Sequence, residues 1–282
     1  MRRSFHPTSQ GDLVGVESSA GVLESIATSV ANAAAAQVVL AEPFPRLRPN
    51  LWLKGDHLPG SARWRHTFRR AIGLGVPRTA EFANLEWLRK RLFRCPRPVA
   101  AGVIVRAGVV RYQVLALEQI DRAATLETSW SDADDALRAA WIDELALEVA
   151  RMHSLAFVHR DLFLRNVLVD SQPTPTRGDP RKLYFLDAWR SGRPRPLRDE
   201  AYDLGCLMVD ARDDWSQTEQ KRFFARYFDE RSALGALAQV EQVLQAADGH
   251  RSALVARMLR EPNRIRRNRA PTYGWDWRAL RL

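Results

Sequence analysis

The stretch FVHRDLFLRNVLVD, Phe157 to Asp170, constrains the fold more than any other part of the chain. A helical apolar pattern leads into it, with Leu137, Trp141, Leu145, Val149 and Met152 recurring at three- and four-residue intervals. A short apolar run, Val167 to Val169, leaves it and reads as a strand. The polar residues between, His159, Arg160, Asp161 and Asn166, therefore lie on a loop carried between a helix and a strand. A second apolar run, Leu183 to Leu186, ends in Asp187 and places another carboxylate at the end of a strand.

Upstream, LWLK (Leu51 to Lys54) reads as a short strand, followed by a Gly/Pro-bearing loop, Gly55 to Ser61, and a basic amphipathic segment, Trp64 to Ile72. A helix is predicted over Glu81 to Phe93, with Phe82, Leu85, Leu88 and Leu92 on one face and Glu86 flanking that stripe. Strand-like runs over Gly102 to Arg106 and Val109 to Leu117 are joined as a hairpin at Ala107-Gly108. Downstream, helical patterns are expected over Glu200 to Val209, Gln217 to Phe228, Leu234 to Ala246 and Arg251 to Leu259. The first forty residues are the least informative, with a short helix around Val22 to Val39 as one reading. These elements predict an α+β, bilobal architecture: a small antiparallel-sheet N-lobe and a mainly helical C-lobe. Residues 1–42 form an undefined N-terminal segment, 43–120 the N-lobe and 121–282 the C-lobe.

The order H-R-D-x-x-x-x-N is the signature of the catalytic loop of protein-kinase-like phosphotransferases. There the Asp accepts the proton of the attacking hydroxyl and the Asn holds a magnesium ion. The remaining parts of that chemistry occur in order: Lys54 for the phosphates, with Glu86 as its expected ion-pair partner, and Asp187 for magnesium. Glu118 to Ile120 stands at the hinge that offers backbone groups to an adenine ring, so Glu118 and Ile120 are nucleotide-binding candidates. Asp203, in EAYDLGCL, has the place of a buried aspartate that braces the catalytic loop beside His159 and Arg160. His153 and His159 are read as structural, and Arg160 and Arg190 as either substrate-phosphate ligands or partners of acidic neighbours.

Composition narrows the partners. Forty-three Lys and Arg against 33 Asp and Glu give a formal charge of +10, which favours an anionic ligand, glycan or surface. Two cysteines, Cys95 and Cys206, lack metal-site spacing and read as buried thiols. No signal peptide or membrane span is read, and no nucleic-acid-binding signature accompanies the charge, so nucleic acid is not an expected partner.

Taken together, LWLK, EWLRKRL, LETSW, HSLAFVHRDLFLRN, FLDAWR, RDEAYDLGCL and EQKRFFARYF resemble, in this order, the lipopolysaccharide kinase family, the Kdo and core-heptose kinases. The resemblance runs from about Leu51 to Phe228. It implies a protein-kinase-like fold, ATP and Mg2+ as cofactors, and phosphorylation of a sugar hydroxyl on a lipid-linked glycan at the inner face of the bacterial inner membrane. The implied setting is cytoplasmic, with a peripheral contact to an anionic membrane surface left open. Asp187-Ala188-Trp189 replaces D-F-G, Phe163 stands two residues after Asp161 where serine-directed kinases carry a lysine, and only fifteen residues separate Asp187 from Asp203. That run is too short for a segment that lays out a peptide, which points away from a protein substrate. No Gly-rich phosphate loop is evident, so an anionic-ligand binding module or pseudokinase of the same fold is the alternative.

Overall fold

The computed structural model describes residues 2–8, 11–17, 40–44, 51–73, 76–170, 183–192 and 198–236. The expected helix at Val22 to Val39, the Ser171 to Lys182 excursion, most of the Leu234 to Ala246 helix, the Arg251 to Leu259 helix and the C-terminal arginine cluster lie outside the described residues. The chain divides into two units: residues 1–123 with Tyr184–Arg190, and residues 124–183 with Ser191–Leu282.

The first unit is built on a six-stranded antiparallel sheet. Its strands are β1 (Arg2–Thr8), β2 (Gly11–Glu17), β3 (Leu40–Phe44), β4 (Leu51–His57), β5 (Pro98–Arg106) and β6 (Val109–Glu118), in the order β1-β2-β5-β6-β4-β3. The sheet is wider than the sequence suggests. Strands β1 and β2 fall in the segment read as undefined, and they extend the sheet through a register running from Asp12↔Val105 to Glu17↔Ala100. Strand β4 alternates as a half-covered strand must, burying Leu51, Leu53 and Gly55 and leaving Trp52 and Lys54 less covered. Strand β5 is buried at seven consecutive positions, Pro98 to Ile104. That continuous pattern belongs to a central strand closed on both faces.

Two helices follow β4: α1 (Gly60–Ala71) and α2 (Pro77–Lys90). Pro77 occupies the first helical position of α2, where its missing N–H costs nothing. Phe82, Leu85 and Leu88, each at most 1% exposed, form the face of α2 that is buried in the unit. Leu58, Val76, Val103 and Val110 form a second buried cluster at the entry to α1 and α2.

The second unit is mainly helical: α3 (Leu126–Ser129), α4 (Asp135–Ser154), α5 (Arg198–Asp214) and α6 (Gln217–Ala236). β7 (Ala123–Thr125) pairs with β8 (Val167–Asp170), and β9 (Leu183–Phe185) follows, its Tyr184 and Phe185 belonging to the first unit. Helix α4 is started by Asp134, whose carboxylate accepts the Leu137 N–H at 2.7 Å. Of the expected stripe, Trp141, Leu145, Val149 and Met152 are buried and Leu137 in the first turn is half-buried. An aromatic cluster locks the far end: Trp130 stacks on Trp215 at 5.3 Å, and Trp215 meets Phe223 at 5.8 Å. The Trp130 indole N–H donates to the Asp214 carbonyl at 3.0 Å, so its polar edge is satisfied inside the cluster.

Cys95 and Cys206 are free and buried, and burial pushes the Cys95 thiol up to about 12. Neither thiol is expected to react with Ellman's reagent at pH 8 in the folded protein, while both react once urea unfolds it. Trp215→Ala is expected to lower unfolding stability by about 3–5 kcal/mol, read as a shift of the urea midpoint, because it empties the centre of the aromatic cluster.

Candidate functional site

In the first unit, β4 presents Lys54 and α2 presents a carboxylate to it. The carboxylate belongs to Glu81, at 2.9 Å and fully buried, and not to Glu86. Helix α2 begins at Pro77, one turn before the expected start, and Glu81, four and seven residues before Leu85 and Leu88, shares their buried face. Glu86 lies five residues further on, about 140° round the helix. It stays partly exposed, 4.0 Å from Lys90.

Lys54 also meets Asp187, again at 2.9 Å. Asp187 follows β9 at φ 59°, a left-handed conformation that costs a non-glycine residue on the order of 1–3 kcal/mol. Asn84 of α2 helps hold that turn, donating its amide to the Ala188 carbonyl at 2.6 Å.

Four residues of this cluster lie outside the sequence expectation. Arg78 makes two hydrogen bonds to Asp56, at 2.8 and 3.1 Å, and a third to Glu81 at 2.8 Å. Its guanidinium stands 3.8 Å from Asp187. Gln113 on β6 donates to Asp56 at 3.1 Å and accepts the Arg78 backbone N–H at 3.2 Å, tying the start of α2 to the sheet. The only local signals were one acidic residue on β4 and one arginine at the start of α2, and neither identifies its partner.

Burial works against the charge of Lys54, but Glu81 and Asp187 outweigh it and hold the ammonium pKa above its ordinary 10.5. Burial likewise opposes the charge of Arg78, and Glu81 and Asp56 again prevail. A raised lysine pKa means that these ion pairs stabilise the fold fully below about pH 10.5 and lose that contribution as pH rises through the raised value. Lys54 is therefore a cation throughout the neutral range.

In the second unit, the loop after α4 is shaped by one buried carboxylate. Asp203 on α5, 0% exposed, accepts the backbone N–H groups of His159 and Arg160, each at 2.5 Å. His153 approaches the same carboxylate through Nε2 at 3.3 Å, and its Nδ1 lies 2.8 Å from the Tyr227 hydroxyl. Arg160 takes φ 59° and directs its guanidinium to Asp199 at 2.9 Å.

The loop is closed from a second side. Val158 and Gly192 exchange both backbone hydrogen bonds at 3.0 Å, and the Ser191 hydroxyl donates to the His159 carbonyl at 2.9 Å. Gly192 has φ 146°, a conformation that side chains rarely adopt. Within the loop, the Asn166 amide nitrogen donates to the Asp161 carbonyl at 2.8 Å and to its carboxylate at 3.2 Å. Both contacts need a donor, which fixes the amide orientation and turns the Asn166 oxygen the other way.

The other expected residues are placed as follows. Glu118 ends β6; its backbone N–H donates to the Arg97 carbonyl at 2.9 Å and its carboxylate accepts from Arg97 Nε at 2.6 Å. The Glu118 amide is therefore committed within the protein. Ile120 follows at the sheet exit, partly covered. Arg190 ends a short 3-10 turn, Ala188–Arg190, and packs over the Trp189 ring at 4.4 Å.

With this geometry in place, three comparisons bear on the chain. The profile of the "Lipopolysaccharide kinase (Kdo/WaaP) family" matches residues 57–227. Two curated proteins named 3-deoxy-D-manno-octulosonic acid kinase, from Vibrio vulnificus strains YJ016 and CMCP6, are each 35% identical over 113 residues. Those matches cover 39% of this chain and 47% of each relative, so the chain spans about half the length of the relatives it matches. Among solved structures, "WaaP in complex with acyl carrier protein" aligns with a TM-score of 0.51 at 18% identity, covering 89% of this chain and 98% of that one. This last is a likeness of fold, in keeping with the kinase-like α+β architecture.

Glu81→Gln is expected to destabilise the first unit by about 3–5 kcal/mol, because Lys54 and Arg78 lose a buried counter-charge. Glu86→Gln should fall within about 0.5 kcal/mol of the parent. Urea denaturation of the two variants side by side separates the roles.

Proposed function

Because the chain belongs to the lipopolysaccharide kinase (Kdo/WaaP) family, we propose that it transfers the γ-phosphoryl group of ATP to a sugar hydroxyl of the lipopolysaccharide core. The observation that carries this reading is the fixing of Lys54 between Glu81 and Asp187. Phosphoryl transfer depends on placed charge more than on covalent chemistry. An ammonium locked between two carboxylates is a placed charge.

The residues divide the work as follows. Lys54 binds triphosphate oxygens, and Glu81 keeps its ammonium in place, with Arg78 neutralising the far side of Glu81. At the hinge, the committed Glu118 amide leaves the backbone N–H of Ile120 as the donor for an adenine ring. Asp161 takes the proton of the acceptor hydroxyl, its carboxylate oriented by the Asn166 amide. Asp203 holds the backbone of His159 and Arg160, and so acts on the reaction only through the position of Asp161.

The residues present fit magnesium. In the cluster around Lys54, the three carboxylates of Asp56, Glu81 and Asp187 face the two cations Lys54 and Arg78. A surplus negative charge repels bare triphosphate and suits a nucleotide that arrives with its divalent cation. Asp187 offers a carboxylate and Asn166 the oxygen of its amide, both of them the hard oxygen donors that magnesium prefers. Magnesium, when bound, would neutralise charge building on the phosphates.

The two Vibrio relatives are named as kinases of 3-deoxy-D-manno-octulosonic acid, which makes that sugar the first acceptor to test and core heptose the second. Incubation with labelled ATP, magnesium and lipid-linked acceptors bearing either sugar should show label transfer to one of them. Asp161→Ala should reduce that transfer by at least about a thousandfold while leaving the unfolding midpoint in place. Undiminished turnover by the variant would remove Asp161 from the mechanism. Failure of ATP to stabilise the protein more with magnesium than without it would favour the binding-module alternative.

A further inference from the structure

Helix α1 is amphipathic in an inverted sense. Its sequence, GSARWRHTFRRA, carries four arginines and no acidic residue. The side that packs is polar: His66 is its buried residue, and the Thr67 hydroxyl accepts the Val110 N–H at 2.9 Å. The apolar side faces outward. Trp64 is 62% exposed, Phe68 64% and Ile72 53%, at i, i+4 and i+8 on one stripe.

A large indole, a phenyl ring and a branched aliphatic chain aligned over two turns are not scattered surface hydrophobes of the ordinary kind. Arg65 and Arg69 each follow a stripe residue by one position and border the stripe on one side, while Arg63 and Arg70 lie on the far side of the helix. Such flanking charges can lay their methylene stems along an apolar layer while their guanidinium heads stay in a polar, anionic one.

We propose that α1 is a membrane-docking helix, which lays the Trp64–Phe68–Ile72 stripe into the headgroup boundary of an anionic bilayer. Two observations favour a lipid surface over an acidic protein. Arg65 and Arg69 are exposed beside the apolar stripe, and the helix holds no acidic residue to oppose an extended anionic plane. The chain as a whole carries +10, which draws it to an extended negative surface before any contact forms. Interfacial helices combine these features: Trp and Phe on one face, arginine beside it, no acidic residue and no length sufficient to span. Among the described residues no helix is long and apolar enough to cross a membrane. The proposal stands on α1 alone and does not require the phosphotransfer reading, although an enzyme acting on a lipid-linked sugar gains from residing at the surface that holds its substrate.

Flotation of the full chain with vesicles tests it. The protein should rise with vesicles of phosphatidylcholine containing a minority of phosphatidylglycerol and remain behind with phosphatidylcholine alone. Added salt should weaken the association, since its electrostatic part is screened. Trp64→Ser with Phe68→Ser should lower partitioning by about tenfold or more. Arg65→Gln with Arg69→Gln should do the same, by about tenfold. Both double variants should keep the thermal stabilisation by magnesium and ATP, which shows that the fold is retained. Equal vesicle binding by the parent and the Trp64/Phe68 variant overturns the proposal. So does an absence of vesicle binding, including the case where the helix instead retains a small acidic protein. Vesicle binding that is intact and α1-dependent, in a protein without sugar phosphorylation, would sink the phosphotransfer reading alone.

Discussion

The second unit depends on one buried carboxylate. Asp203 lies in α5, yet it fixes the geometry of a loop more than forty residues away in sequence by taking two consecutive backbone N–H groups. A charge removed from water needs full compensation. Asp203 finds it in those two amides and His153, which is itself steadied by Tyr227 of α6. The left-handed turn at Arg160 is held by the same contacts, since it brings two successive amides onto one side. The loop is thereby a fixed object before any ligand arrives, and positioning of this kind is what a phosphoryl-transfer site requires of its protein.

The first unit solves a similar problem with opposite charges. Lys54 and Arg78 are held in a lattice of Asp56, Glu81, Asp187, Gln113 and the start of α2, so that each cation touches more than one carboxylate. The arrangement resists loss of any single member unevenly. Glu81 is shared by both cations and fully buried, whereas Asp56 serves only Arg78 of the two cations. A cation bound this tightly stays charged and points in one direction, and a nucleotide would find its phosphate contact already aligned.

Much of this was legible before folding, and the reasons for success and failure are physical. The set His159, Arg160, Asp161 and Asn166 could be read because its geometry is local: five residues fix where the amide meets the aspartate. Asp203 could be assigned to bracing because EAYDLGCL places it on an apolar helix face where a carboxylate needs partners. Glu81 was missed in favour of Glu86, although it shares a face with Leu85 and Leu88, because the expected helix began at Glu81 itself, where a carboxylate reads as a first-turn residue, and the helix in fact starts a turn earlier at Pro77. Arg78, Asp56 and Gln113 meet only through tertiary pairing across separations of 22 to 57 residues, and no spacing rule reaches that far. Strands β1 and β2 escaped notice since Arg2–Glu17 carries few apolar residues and a proline, a composition that an edge strand tolerates. The basic amphipathic character of α1 was plain, but amphipathicity defines two faces without saying which one packs.

The contact between Lys54 and Asp187 joins residues 133 positions apart within a single unit. During synthesis the sheet, α1 and α2 emerge long before Asp187 leaves the ribosome. The nascent unit must hold Lys54 against Glu81 alone, and Arg78 against Glu81 and Asp56, while the whole of α4 and the catalytic loop are still being made. Closure of the charge cluster is thus a late event, delayed by the ordering of a long intervening chain. Asp187 in turn precedes Ser191, Gly192 and Asp203, which fix the catalytic loop, so a chain terminated before residue 187 has neither half complete.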